Sequence, residues 1–146
     1  MQIYILRHGI AEEGKEKLQS TLACVRKAGV RPDLIVSSPY KRALETAALA
    51  QEELDVKPAI VKTDALTPME KPEKVWDEIR LHRDAGQIVL AGHEPQLSSL
   101  VSYLIGSPGA NVEMKKGAIA RVDVESLGPR PNGVLVWLLT AKLAGC

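Results

Sequence analysis

Residues 4–13, YILRHGIAEE, run from an apolar stretch directly into Arg7 and His8. The apolar residues suit a buried strand, and QIYIL is the predicted first strand of the chain. A glycine and then two acidic residues follow within the next five positions. A cation and an imidazole side by side at the end of a buried strand need an explanation, and the order of the later elements supplies one.

Short apolar runs alternate with helix-length amphipathic stretches along most of the chain. The predicted strands are QIYIL, DLIVSS, AIVK and QIVLAG, and the predicted helices cover about 15–28, 39–54, 72–85 and 96–105. This alternation predicts a three-layer α/β/α fold with a mainly parallel central sheet. AIARVDV and GVLVWLLT are two further predicted strands, which we expect to form a C-terminal antiparallel hairpin at one edge of the sheet.

Local signals indicate where two helices begin and end. We expect Ser38 to cap the second helix and Pro39 to occupy its first position. Gly29 is placed to end the first helix. Cys24, within that first helix, is interpreted as a core residue, because nothing near it in sequence would make its thiol reactive.

Composition limits the class of protein. A chain of 146 residues predicts a single domain over residues 1–146. The formal net charge of +1, spread along the chain, predicts neither a nucleic acid nor a membrane as partner. The two cysteines form no CxxC or metal-binding pattern, and no apolar run resembles a signal peptide or approaches the ~18 residues of a membrane span. We therefore expect a cytoplasmic protein.

Polar residues follow several of the predicted strands. Arg7 and His8 follow the first strand, Arg42 lies in the first turn of the helix after the second, and His93 follows QIVLAG. In a parallel sheet the carboxyl ends of the strands meet at one edge, where helix N-termini also point. Guanidinium groups and helix N-termini both favour phosphate, so the sequence predicts a phosphate site.

Two histidines add chemistry to this predicted binding site. A histidine near its ordinary pKa of ~6.5 is substantially neutral at cellular pH, and its ring nitrogen can attack phosphorus. The arginines would stabilise the charge of the transferring group, and the second histidine could move a proton. The residues predict phosphoryl transfer through a phosphohistidine intermediate, with no metal and no cofactor.

Three motifs at matching positions resemble a known family. RHG after the first strand, SSPYKRALETA in the second βα unit and GHEP in the fourth are similar to the histidine phosphatase superfamily, which has the phosphoglycerate-mutase-like fold. The segments RHGIAEE, LTPMEKP and KKGAIARVDVE most resemble its smallest branch, the SixA-like phosphohistidine phosphatases.

The resemblance implies a role for each matching residue. His8 would be the nucleophile, Arg7 and Arg42 would bind phosphate, and His93 would be a second catalytic histidine that also contacts the phosphate. In the family a backbone carbonyl near the RHG motif holds the other ring nitrogen of the nucleophile, so we expect such a contact near Gly9.

The chain departs from the family in two places. Only four residues separate Gly9 from Gly14, where the family has a longer segment, so either a loop is deleted or residues are missing from the sequence. Relatives that cleave alkyl phosphates use a carboxylic acid as proton donor, and LTPMEKPE offers Glu70 and Glu73. We take Glu70 as a possible acid, although a surface loop residue is the simpler interpretation.

The absence of an identified acid favours a substrate with a good leaving group. Phosphohistidine expels an imidazole, and the short segment before QIVLAG has no room for a helical lid over the site. We therefore expect a monomeric phosphatase that acts on a phosphorylated protein, such as a histidine phosphotransfer domain or a phosphocarrier. The alternatives are a phosphatase of small phosphomonoesters and a non-catalytic phosphoprotein-binding module.

The expected partner also raises a question about two lysines. Lys115 and Lys116 precede a predicted strand and could meet an acidic partner at the rim of the site. A solvated pair is the simpler interpretation.

Overall fold

The computed structural model describes residues 1–9 and 12–145, with the backbone alone at positions 12 and 13. The strands within this part of the chain are β1 (Gln2–Arg7), β2 (Leu34–Ser37), β3 (Val61–Lys62), β4 (Gln87–Gly92), β5 (Ile119–Asp123) and β6 (Val134–Leu139). The helices are α1 (Glu12–Lys27), α2 (Lys41–Glu53), α3 (Pro72–Leu81), α4 (Gln96–Leu104) and α5 (Ala141–Ala144), with a 3₁₀ turn at Asp64–Leu66.

All of these strands belong to one sheet with the order β3-β2-β4-β1-β5-β6. The pairs β2–β3, β2–β4 and β1–β4 are parallel, whereas β5 runs antiparallel to β1, and β6 runs antiparallel to β5 at the edge. The predicted fold class is therefore confirmed, with a mainly parallel sheet and a C-terminal antiparallel hairpin at one edge.

Helices cover both faces of the sheet because β1 alternates its side chains between two cores. Ile3 and Ile5 pack in a core that includes residues of α3 and α4, and Tyr4 and Leu6 pack in a core that includes residues of α1 and α2. Each fully buried side chain of this size stabilises the fold by about 1.5–3 kcal/mol relative to leaving it exposed. This two-sided burial fixes the register of β1, and the register fixes what lies at its carboxyl end.

The start of α2 differs from the prediction. The helix begins at Lys41, and Tyr40 precedes it in an extended conformation without a side-chain cap. Ser38 lies three residues before the helix. Its backbone N–H donates to the Ala91 oxygen at 2.9 Å, which continues the sheet, and its hydroxyl contacts His93. The expectation that Ser38 caps the helix and Pro39 begins it is wrong.

Two further expectations about helices need correction. Cys24 is exposed, because the buried face of α1 carries Leu18, Leu22 and Val25 instead. The third helix ends at Leu81 rather than near residue 85. After the turn that follows the helix, the carboxylate of Asp33 accepts hydrogen bonds from the backbone N–H groups of residues 86 and 87, at 3.0 and 2.9 Å. These bonds fix the backbone at the start of β4.

The 3₁₀ turn and α5 were not predicted, since both are too short to carry a hydrophobic period. None of the described helices combines the length and the hydropathy that crossing a membrane requires.

Candidate functional site

The candidate site lies at the carboxyl ends of three neighbouring strands. The backbone N–H of His8, directly after β1, donates to the Gly92 oxygen of β4 at 3.0 Å. Ser38 directly follows β2 and donates in the same way to Ala91 of β4. These bonds hold the three strand ends level, so the structure brings His8, Ser38 and His93 together as the parallel order predicts.

The two histidine rings are in contact. Their centroids are 4.9 Å apart, and the edge of one ring faces the other. His93 is only 6% exposed, and the ring of Tyr40 lies against it with a centroid distance of 5.3 Å. The imidazole of His8 is therefore partly accessible, whereas that of His93 is buried.

Ser38 holds His93 in place. Its Oγ lies 2.8 Å from Nε2 of His93 and also accepts a hydrogen bond from the backbone N–H of Tyr40 at 3.2 Å. With Nε2 occupied in this way, Nδ1 is the nitrogen of His93 that remains for a ligand. Sequence reasoning missed this contact. The available signal was that Ser38 directly follows β2 and His93 directly follows β4, the neighbouring strand.

Arg7 carries an unusual orphan donor. One terminal nitrogen of its guanidinium donates to the Met114 oxygen at 2.6 Å. Its Nε is buried without a hydrogen-bond partner in the described part of the chain. A buried charged donor without a partner costs at least about 1–3 kcal/mol. Such a donor next to His8 fits a site that is completed by an anion.

The other nitrogen of His8 does not find its expected partner. Nδ1 is buried and has no hydrogen bond within residues 1–9 and 12–145. The Gly9 oxygen faces Gly14 instead, where an added Cβ would collide with it. No carbonyl among the described residues holds this nitrogen, and residues 10 and 11, which follow Gly9, lie outside them.

Two more cations surround His8. The Arg42 side chain, in the first turn of α2, is exposed, and no hydrogen-bond or ion-pair partner for it lies among the described residues. Lys116 is also exposed, and its charge reaches His8. A Cβ on Gly9 would lie 2.8 Å from the backbone nitrogen of Gly117, which shows how closely this loop approaches the RHG segment. Sequence reasoning placed Lys116 no closer than the rim.

These surroundings keep both histidines neutral. Burial, His93, Arg7, Arg42 and Lys116 lower the pKa of His8 from 6.5 to about 4. Burial also lowers the pKa of His93. At neutral pH the site therefore offers an uncharged imidazole surrounded by cations. That arrangement can bind an anion and attack it, because the lone pair of His8 is not blocked by a proton.

We expect this low pKa to be visible directly. The chain has three histidines, and the third, His82, lies in α3's C-terminal turn beside Glu78. In an NMR titration of the unliganded protein, the His8 ring signals should move with a midpoint near pH 4. Replacing Arg42 with Gln should raise this midpoint, because one of the charges that disfavour protonation is removed.

The lowered pKa of His8 also makes the stability of the fold depend on pH. The unfolded chain binds a proton on His8 near pH 6.5 and the folded chain only near pH 4. The contribution of His8 to the free energy of unfolding is therefore complete above about pH 6.5 and is lost as the pH falls toward 4. A midpoint at pH 6.5 or above in the NMR titration of His8 would contradict the described electrostatics.

Glu70 lies in different surroundings. Its carboxylate pairs with Lys74 at 3.0 Å, and its backbone oxygen accepts a hydrogen bond from the Gln96 side chain at 3.0 Å. The side chain lines a cavity of about 310 Å³ whose other walls come from the 3₁₀ turn and α3, and none of His8, His93, Arg7 and Arg42 lines that cavity. A role of Glu70 as proton donor remains a prediction.

The described residues contain no group of three or more His, Cys, Asp or Glu side chains placed to hold a metal ion.

The fold matches those of solved phosphatases along nearly its whole length. The protein histidine phosphatase SixA, solved with tungstate, has a TM-score of 0.87 and 21% identity, covering 97% of this chain and 98% of that one. The α-ribazole phosphatase from Shigella flexneri has a TM-score of 0.74 and 17% identity, covering 97% of each chain. A mycobacterial glucosyl-3-phosphoglycerate phosphatase has a TM-score of 0.68 and 16% identity, covering 92% and 96%.

A family model also matches part of the chain. Residues 9–70 match the histidine phosphatase superfamily (branch 1), whereas no curated protein matches the sequence. The resemblance to the histidine phosphatase superfamily is thereby confirmed, and the chain has the histidine phosphatase fold. The match includes Arg42 but begins directly after His8. The roles of Arg7, His8 and His93 therefore do not follow from it.

Proposed function

We propose that the chain is a phosphatase that removes phosphate from phosphohistidine in a partner protein, through a phosphorylated His8. The observation that carries the proposal is the contact of the two histidine rings, 4.9 Å apart, at the ends of β1 and β4, beside a buried Arg7 Nε that has no hydrogen-bond partner among the described residues. The solved relatives support the reaction class, since each is named as a phosphatase. Because their named substrates differ, the choice of phosphohistidine rests on the site.

In the first step, His8 attacks the phosphorus of the substrate. Because Nδ1 of His8 is buried, Nε2 is the nitrogen that forms the new P–N bond. The P–N bond of the substrate breaks, and its electron pair returns to the substrate imidazole. That ring leaves neutral when its other nitrogen already carries a proton, so this step needs no acid from the enzyme.

In the second step, water replaces His8 on phosphorus. The oxygen of water bonds to phosphorus, the P–N bond to His8 breaks, and inorganic phosphate leaves. The free Nδ1 of His93 accepts the proton of the attacking water, while Ser38 holds the other ring nitrogen. The lowered pKa of His93 suits this role, since a base must be unprotonated at the start.

The arginines bind the phosphoryl group in both steps. A phosphoryl oxygen gives the orphan Nε of Arg7 the partner it lacks, and the Met114 oxygen fixes the orientation of that guanidinium. Arg42 approaches from the start of α2, where the N-terminal end of the helix also favours an anion. Both contacts strengthen as charge develops on the equatorial oxygens in the transition state.

The position of Glu70 supports phosphohistidine over an alkyl phosphate. An alkoxide is a poor leaving group and needs a proton donor, but the Glu70 carboxylate pairs with Lys74 and lines a cavity to which His8 and His93 do not contribute. An imidazole leaving group removes that need.

The test compares two substrates without added metal. Phosphate release is measured from a phosphohistidine-bearing phosphotransfer domain and from a simple alkyl phosphate. We expect release from phosphohistidine to exceed release from the alkyl ester by about 10² or more, the range of a general acid's contribution. Glu70→Gln, compared with Glu52→Gln on an exposed glutamate of α2 as a control, should leave phosphohistidine turnover unchanged.

Two outcomes would contradict the proposal. Efficient turnover of the alkyl ester, lost in Glu70→Gln, would show a phosphomonoesterase with a working acid. Binding of phosphate without turnover of any substrate would show a binding module.

A further inference from the structure

A cleft lined by lysines lies beside the candidate site. It has a volume of about 610 Å³ and is formed by α1, the loop before β5, and the C-terminal segment around α5. The charged residues that line it are Glu16, Lys17, Lys115, Lys116 and Lys142. Among the described residues, four cations and one carboxylate thus meet in one cleft, although the whole chain has a formal charge of only +1.

The cleft lies close to the RHG segment. A smaller cavity of about 250 Å³ is lined by Gly9 and Gly14 and shares Lys17, Lys116 and Ala141 with the cleft. Gly9 directly follows His8, and the charge of Lys116 contributes to the low pKa of His8. The shared lining residues therefore place the cleft next to the residue that follows His8.

A cavity toward the other edge of the sheet has the opposite charge. The cavity beside α3 is lined by Asp64, Glu70, Asp77 and Glu78, and Lys74 is the cation among its described lining residues. It lies next to the 3₁₀ turn that follows β3, whereas Lys115 and Lys116 precede β5 toward the other edge of the sheet. An acidic surface is attracted to one side and repelled from the other, so the charges determine how a partner is oriented.

We propose that this lysine-lined cleft docks an acidic surface of the phosphorylated partner protein, next to its phosphohistidine. The cleft is several times larger than a phosphate ion, so it suits a stretch of polypeptide rather than a second small anion. Tyr40 supports a protein partner: its side chain is 52% exposed while its ring contacts His93. Exposed aromatic residues beside a site are typical of protein interfaces.

This inference builds on the proposed function by naming the partner surface, and its first test does not depend on turnover. The probe is a fluorescent decapeptide rich in Asp and Glu, and anisotropy measures its binding at low and at physiological salt. The variant is Lys17→Glu with Lys115→Glu, two exposed lysines of the cleft outside the proposed catalytic residues. The matched control is Lys27→Glu with Lys57→Glu, which lowers the net charge equally on exposed lysines away from the cleft.

We expect the cleft variant to bind the peptide at least about tenfold more weakly than the control variant, since several close charge pairs become repulsive. Equal binding by both variants would overturn the proposal, because the attraction would then come from net charge alone. Tighter binding of tripolyphosphate than of the peptide would also overturn it, in favour of a small anionic ligand.

The second test uses turnover. With a phosphohistidine phosphotransfer domain as substrate, kcat/KM of the cleft variant should fall about tenfold or more, mostly through KM and most strongly at low salt. With phosphoramidate as a small substrate, kcat/KM should stay within about twofold of the control. Equal losses on both substrates would overturn docking. If the natural chain turned over neither substrate, the proposed function would fail, and the peptide test would still decide the docking surface.

Discussion

His8→Asn abolishes phosphate release from phosphohistidine, with an expected loss of about 10⁴-fold or more, because the covalent step loses its nucleophile. Asparagine is similar in size to histidine and polar, so the fold should tolerate it at this half-buried position. His82→Asn is the matched control, since that histidine pairs with Glu78 on α3 and does not belong to the site. Rates from single-turnover assays and melting curves of both variants check the prediction.

The same variant separates an enzyme from a binding module. His8→Asn should still bind inorganic phosphate or tungstate within about tenfold of the natural chain, because Arg7 and Arg42 remain. Turnover within tenfold of the natural rate in His8→Asn would contradict the assignment of the nucleophile.

Arg42→Gln is expected to lower kcat/KM by about 10²–10³-fold, the usual loss when one donor to a developing negative charge is removed. Arg42 is exposed and has no partner among the described residues. The substitution should therefore change the free energy of unfolding by less than about 0.5 kcal/mol, as judged from the melting temperature. Arg7 would be a less clean test, since its guanidinium also holds the Met114 oxygen.

Two further variants sharpen this second prediction. Arg42→Lys should fall between the natural chain and Arg42→Gln, because an ammonium keeps the charge but loses the bidentate geometry of guanidinium. Arg83→Gln is a matched control on an exposed arginine beyond the end of α3. A loss in Arg42→Gln that matched the loss in Arg83→Gln would contradict a role of Arg42 at the site.

The strands were predictable because their residues follow simple rules. QIYIL and QIVLAG are continuous apolar runs, and strands buried on both faces require such runs. Once those two strands were recognised as parallel, the proximity of His8 and His93 followed from the chain order. Arg42 followed from its place in the first turn of the helix after the second strand, although the helix pattern alone would leave it as an ordinary surface charge.

The wrong predictions concern residues that suit two different local environments, because tertiary contacts determine which of the two a residue occupies. Ser38 has the chemistry of a helix cap, but β2 continues through its N–H, and its hydroxyl contacts His93. Cys24 is next to Val25, yet one residue corresponds to about 100° around a helix, so only one of the two faces the core.

Lys116 could not be placed from sequence for a different reason. Its approach to His8 requires β5 to return antiparallel beside β1, with the Arg7 N–H donating to the Ala118 oxygen at 3.0 Å. The hairpin was predicted at an edge of the sheet, but the choice of β1 as its neighbour is a property of the assembled sheet. The basic cleft became visible only with that register.

Trapping the phosphoenzyme tests the central claim most directly. The natural chain and His8→Asn are mixed with a phosphohistidine substrate and quenched in alkali, where phosphohistidine is stable, and peptide mass spectrometry locates the phosphate among the chain's three histidines. We predict phosphate on His8 of the natural chain and none on His8→Asn. Phosphate on His93 instead, or turnover of the natural chain without any phosphorylated histidine, would contradict the account.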